Sequence, residues 1–250
     1  MNQHRFVSML FCTAMVFFLI SCGGGGGSEQ KSTTDTTSTD TTATTAPAPQ
    51  APTSTIDTRS QNMMIAMHKV KDFAKWKTSY DEHDSMRLAN GLHSFIVGRG
   101  LQDTSMAFVV VKVDDLNKAK TFAKDPNLKK AMQKGGVVGV PTFNYTTMVW
   151  QDTGNVGTAM RSRSMFTVKD WDAWKKSFDS TMQLQTDNGL KPRAYGHDAN
   201  DNHKVILVAA ILDSAKAAAF WKSDLLKQRR AASGVVGQPQ RFLYRVVQKY

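Results

Sequence analysis

Val70-Lys71-Asp72-Phe73-Ala74-Lys75-Trp76 recurs further along the chain as Val168-Lys169-Asp170-Trp171-Asp172-Ala173-Trp174, at an offset of 98 residues. The same offset, without a gap, carries Asn90-Gly91-Leu92 onto Asn188-Gly189-Leu190 and Phe122 onto Phe220. It also carries Gly136-Val137-Val138-Gly139 with Pro141 onto Gly234-Val235-Val236-Gly237 with Pro239. Of the 75 positions from Met67 to Pro141, about 26 are identical to their counterparts, far more than unrelated sequence would share. The chain therefore holds two copies of one module, and each copy checks the reading of the other.

In the first copy, Met63 to Val70 reads as a strand. Asp72 is a good N-cap, and Phe73, Trp76, Tyr80, His83 and Arg87 follow at helical spacing until Gly91 ends the helix. Phe95-Ile96-Val97 and Ala107 to Val113 are β-rich runs around the polar turn Gln102-Asp103-Thr104, a hairpin pattern. Asp115 opens a second helical stretch that breaks near Asp125-Pro126, resumes to Lys134 and stops at Gly135-Gly136. Thr142 to Trp150 alternates as a last strand. The second copy repeats this order. The predicted fold is α+β: two tandem ferredoxin-like β-α-β-β-α-β repeats, residues 61–152 and 153–250. The strands are apolar on both alternations, as in Val109-Val110-Val111 and Ile206-Leu207-Val208, so both sheet faces need cover. Helices cover one face of each repeat; pairing the two bare faces would cover the other.

On these residues the sequence resembles the dimeric α+β barrel superfamily, in particular its antibiotic-biosynthesis-monooxygenase-like and uncharacterised members. The resemblance is carried by the Val-Lys-Asp-aromatic-x-x-Trp opening, by Asp81-x-His83-x-x-x-Arg87, and by the Gly-Val-Val-Gly-x-Pro lead into the last strand. It covers nearly all of residues 62–250. It implies that the two repeats form an intrachain dimeric α+β barrel where single-module relatives pair as homodimers, so no obligate homo-oligomer is expected. It also implies a ligand pocket between helices and sheet.

Ahead of the repeats lies an address. Residues 1–22 carry one cation, Arg5, then an apolar run from Phe6 to Ile20, shorter than the roughly 20 residues a spanning helix needs. Leu19-Ile20-Ser21-Cys22 resembles the bacterial lipobox, in which the signal is cut before the cysteine and that cysteine carries the lipids. Cys22 is the expected lipidation site and the lipid bilayer the expected partner; an ordinary cleaved signal peptide is the alternative. The expected location is an exported protein, lipid-anchored to a bacterial cell membrane, inner or outer. Residues 23–60 begin with Gly23 to Gly27 and continue as Thr, Ser, Ala, Pro, Gln and Asp, with Ile56 as the one large aliphatic residue. Such a stretch cannot offset the cost of ordering its backbone and reads as a disordered stalk.

Composition narrows the chemistry. Hydrophobic residues at 41%, with 13 Phe and 5 Trp, exclude a wholly disordered chain. The only cysteines, Cys12 and Cys22, lie in the signal, which leaves no thiol nucleophile, disulfide or cysteine-ligated metal in the repeats. The net charge of +11 becomes about +12 for the repeats once Arg5 and the stalk's net −2 are set aside. The lysines are scattered over helical stretches with no basic run interleaved with aromatics, so no nucleic-acid partner is expected. No phosphate loop, nucleophile elbow or metal-ligand spacing is present, and no metal or cofactor is expected.

The first helix carries the best lead, because its apolar stripe runs on into His83 and Arg87, and inward polar groups need a reason. His83 could act as a general base or a haem ligand, and Arg87, with Arg99, as a clamp for a carboxylate or enolate. The bland alternative pairs Arg87 with Asp84 or Glu82. The second copy has Thr181 and Gln185 at these positions, so only the first pocket is expected to keep ionisable groups. The expected function is binding of a small anionic or aromatic molecule. A monooxygenase- or isomerase-type enzyme using His83 and a non-catalytic structural or interaction domain are the alternatives.

Overall fold

The computed structural model describes residues 54–250. The expected signal, Cys22 and the stalk up to residue 53 lie outside them. The first repeat is built from β2 (Gln61–Val70), α1 (Phe73–Glu82), α2 (Asp84–Leu88), β3 (Leu92–Gly100), β4 (Met106–Val113), α3 (Leu116–Phe122), α4 (Pro126–Lys134) and β5 (Val137–Asp152). The second follows with β6 (Met160–Val168), α5 (Trp171–Ser180), α6 (Met182–Asp187), β7 (Leu190–Asp198), β8 (Asp201–Ile211), α7 (Ser214–Lys222), α8 (Asp224–Ala232) and β9 (Val235–Lys249). A two-residue strand, β1 (Ile56–Asp57), precedes both.

The N-caps fall on the residues the sequence marks. Asp72 and Asp170 accept from the backbone N–H of Lys75 and Ala173, while Asp115 and Asp213 cap α3 and α7. Pro126 sits in the first turn of α4, where its missing N–H costs nothing. The long helix expected between Asp72 and Gly91 is instead two: the backbone turns at His83 (φ −97°, ψ 22°), and the second repeat turns at the equivalent Thr181.

Strand order is β1-β5-β2-β4-β3-β9-β6-β8-β7, and β5 also pairs with β7. All these pairings are antiparallel. The β5–β7 pairing joins the ends of the order, so the eight long strands follow one another in a ring. Two seams link the repeats. At one, Gly98 of β3 faces Val246 of β9; at the other, Gly196 of β7 faces Met148 of β5. The two glycines are counterparts at the 98-residue offset. A Cβ on Gly98 would stand 2.7 Å from Tyr244 Cδ2, and one on Gly196 only 2.1 Å from the Thr147 carbonyl oxygen, so a residue without a side chain lets each seam close.

Alternation along the strands sorts the core into layers. Met63, Ile65, Phe108 and Val110 of the first repeat meet Ile206 and Tyr244 of the second in one buried cluster. Their neighbours Met64, Ala66, Val109 and Val111 face the other way and pack with Trp76 and Phe122 under the first repeat's helices. The corresponding layer of the second repeat divides into two clusters, one around Leu190, Phe220 and Leu226 and one around Trp174, Phe178 and Tyr195.

One boundary shifts. The stalk is expected to reach Ser60, yet Ile56–Asp57 pairs with Asp152 and Gln151 of β5. Thr55 Oγ1 donates to Asp152 Oδ1 at 2.8 Å, and the same carboxylate lies 3.0 Å from Arg193 Nη1. The β5 pairing and the bond from Thr55 to the buried Asp152 carboxylate hold this segment where composition alone suggests a spacer. No helix among the described residues is long and apolar enough to cross a membrane.

Candidate functional site

Between the first repeat's helices and the outward face of β2 and β4 lies a cavity of about 80 Å³. Met64, Ala66, Val109 and Val111 form its floor, Trp76, Tyr80 and Met86 one wall, and Leu128, Ala131 and Met132 of α4 the other. Helix α4 comes close because Gly135, at its C-cap, has no side chain: a Cβ there would lie 3.0 Å from Ser79 Oγ.

In this apolar lining His68 stands out. It is 4% exposed, and neither ring nitrogen has a hydrogen-bond partner. Its ring meets Trp76 edge-on, with centroids 5.3 Å apart at 65°. Burial pushes its pKa down to about 4, so the imidazole is neutral at pH 7 and carries one unused donor and one unused acceptor. The sequence gives little warning of this residue. It alternates with apolar β2 residues and looks like core; the one hint is that its counterpart is Phe166.

His83 lines the cavity as expected, half-buried, with Nδ1 donating to the Ser79 carbonyl oxygen at 2.7 Å. That bond sets the tautomer and leaves Nε2 with the free lone pair. Arg87 also lines it and is buried, but its guanidinium is occupied by the protein itself. It donates to Tyr80 O at 2.7 Å and Ser94 Oγ at 3.1 Å, pairs with Asp84 at 2.9 Å, and stacks on the Tyr80 ring with Cζ 3.7 Å from the centroid. The pairing with Asp84 is the bland alternative of the sequence reading, and it leaves Arg87 poorly suited to clamp an anion. Arg99 is not part of the cavity. It shares a sheet face with Val97 but stands near the end of β3, where it is exposed, donates to the Thr104 carbonyl and lies over Phe73.

The second repeat has a space of about 70 Å³ at the equivalent place. Thr181 and Gln185 line it, but so do Arg229, Arg230 and Arg241. Ionisable groups are therefore not confined to the first copy. Comparison of the helix stripe missed them because their counterparts, Ala131, Met132 and Phe143, lie on α4 and β5. A third space, about 150 Å³, opens among inward residues of the strand ring beside Arg161, Arg163 and Arg193. Arg163, 4% exposed, donates to Asn144 Oδ1 at 3.3 Å, and burial lowers its pKa to about 10. Among the described residues no group of three or more His, Cys, Asp or Glu side chains gathers as metal ligands would.

No protein-family model and no curated protein matches this sequence. Solved structures do. One neighbour is a candidate monooxygenase of Fusobacterium nucleatum (TM-score 0.49, 12% identity, 75% of this chain and 93% of that one). Another is an uncharacterised ferredoxin-fold protein of Listeria monocytogenes related to antibiotic biosynthesis monooxygenases (TM-score 0.43, 8% identity, 76% and 97%). An anthrone oxidase-like protein aligns with a TM-score of 0.53 at 12% identity over 79% of this chain and 94% of its own, so this chain shares the fold of that protein.

Proposed function

We propose that this chain is a cell-envelope lipoprotein, anchored through Cys22, whose two repeats form an intrachain dimeric α+β barrel that binds a small aromatic molecule in the first repeat's helix–sheet cavity. The pairings of β3 with β9 and β5 with β7 support the barrel. The observation that carries the ligand is His68: an imidazole with both nitrogens unpartnered, set in an apolar cavity beside Trp76. An unmade buried hydrogen bond costs about 1–3 kcal/mol, and a ligand hydroxyl or carbonyl would recover part of that. The lining favours a flat apolar body with one polar substituent over a charged one.

The test is calorimetric titration of the full chain with phenol and catechol, alongside His68→Phe, which installs the second repeat's residue. One hydrogen bond of about 1.4 kcal/mol predicts affinity about tenfold weaker in the variant. Absence of binding, or equal binding by both proteins, would overturn the reading. A second reading, proton transfer by His83, is favoured by the Ser79 bond, which engages Nδ1 and leaves Nε2 for a ligand; it requires turnover of a bound aromatic that His83→Gln abolishes without loss of binding.

A further inference from the structure

The second repeat's pocket has chemistry opposite to the first. At the 98-residue offset, Met64 and Ala66 become Ser162 and Ser164, while Ala131, Met132 and Phe143 become Arg229, Arg230 and Arg241. No Asp or Glu lines the space. The polar set lies where the apolar layer beneath this repeat's helices divides in two.

Three guanidiniums facing one pocket without a counter-charge need an explanation. Arg229 and Arg230 sit in the last turn of α8, where the helix dipole welcomes cations. That does not account for Arg241, which comes from β9. Its Nε is enclosed and has no hydrogen-bond partner, and its guanidinium lies over the Trp221 ring with Cζ 4.0 Å from the centroid. Stacking engages the flat face of the group and leaves its in-plane N–H donors free. Burial lowers the pKa of Arg230, and burial followed by repulsion from Arg230 lowers that of Arg241 to about 10. Both arginines are thus partly desolvated, and no carboxylate among the described residues pairs with either.

The geometry points to this pocket as a binding site for a small organic oxyanion, a phosphate, sulfate or carboxylate whose charged group is held by Arg230 and Arg241 while its body lies against Trp174 and Phe178. Both aromatics line the same space. Arginine is suited to the task because its fork donates in parallel to two oxygens. The site is separate from the cavity at His68, so the two repeats would hold ligands of different class.

The experiment titrates the full chain at constant ionic strength with phenyl phosphate, benzoate and inorganic phosphate, against benzyl alcohol as the neutral probe. Phenyl phosphate should raise the melting temperature and bind with a measurable Kd, with inorganic phosphate competing. Arg230→Met with Arg241→Phe installs residues the first repeat already accommodates in the same fold. This double variant should weaken phenyl phosphate binding at least tenfold and melt at a higher temperature than the wild type without ligand, because two desolvated charges are gone. Arg245→Gln, at an exposed position on the same strand, should leave affinity unchanged. The proposal fails if none of the anions binds, if Arg245→Gln weakens binding as much as the double variant, or if the double variant binds as the wild type does.

Discussion

His68 meets Trp76 edge-on at 5.3 Å and 65°, and Phe166 meets Trp174 at 5.6 Å and 61°, so the two repeats keep one aromatic contact while one of them substitutes an imidazole for a phenyl ring. The packing geometry is shared; the two unpartnered nitrogens belong to the first repeat alone.

That substitution makes stability depend on pH. The folded pKa of His68 is depressed to about 4 from an ordinary value near 6.5. Its stability contribution is present above pH 6.5 and is lost as pH falls toward 4, because the unfolded chain takes up a proton that the folded one refuses. The depression corresponds to up to about 3 kcal/mol. Urea unfolding at pH 7 and pH 4.5 should show a smaller acid-side loss for His68→Phe than for the wild type. Equal losses would assign the acid sensitivity to other groups.

Asp152 ties three parts of the chain together. It accepts from Thr55 and from Gly154 N–H, lies 3.0 Å from Arg193 of β7, and is 6% exposed. Burial alone would raise its pKa, but these partners outweigh it and lower it. Asp152→Asn strands a buried guanidinium and should cost about 3 kcal/mol, whereas adding Arg193→Met to it should recover much of the loss. A double-mutant cycle by urea denaturation measures both; additive losses would show the pair to be uncoupled.

The seams should be sensitive to a single methyl group. At Gly196 the obstacle is backbone, 2.1 Å away, and Gly196→Ala should cost about 3 kcal/mol as β5 and β7 are forced apart. Gly98→Ala meets a Tyr244 ring atom at 2.7 Å and should cost less, since a ring can shift where a strand cannot. Thermal melts that rank the two the other way would refute the argument.

Residues 61–152 alone should not form a stable monomer. Separation would expose Met63, Ile65, Phe108 and Val110, each 7% exposed or less. At about 2 kcal/mol apiece the loss is about 8 kcal/mol, comparable with the whole stability of a domain. Analytical ultracentrifugation of that fragment should find it unfolded or self-associated. A cooperatively melting monomer would contradict the prediction.

Outside the described residues, Cys22→Ser tests the proposed anchor. Several acyl chains make release from a bilayer negligible, so the variant should move from the membrane fraction to the soluble one. Continued membrane association would point to the uncut signal or the basic repeats instead.

The repeat, its element order, the capping aspartates and the two-sided apolar strands were legible because they are local or periodic, and duplication let each copy check the other. His83 and Arg87 stand out in the sequence because they continue a helical stripe that faces the sheet. Periodicity could not say how Arg87 would be used: its pairing with Asp84, Ser94 and the Tyr80 carbonyl depends on where α2 settles over β3 after the backbone turns at His83. Nor could it mark His68 as unpartnered, or gather Arg229 and Arg230 of α8 with Arg241 of β9. Those arrangements join elements distant in sequence, and whether a buried polar atom finds a partner is decided only when tertiary packing excludes water from it.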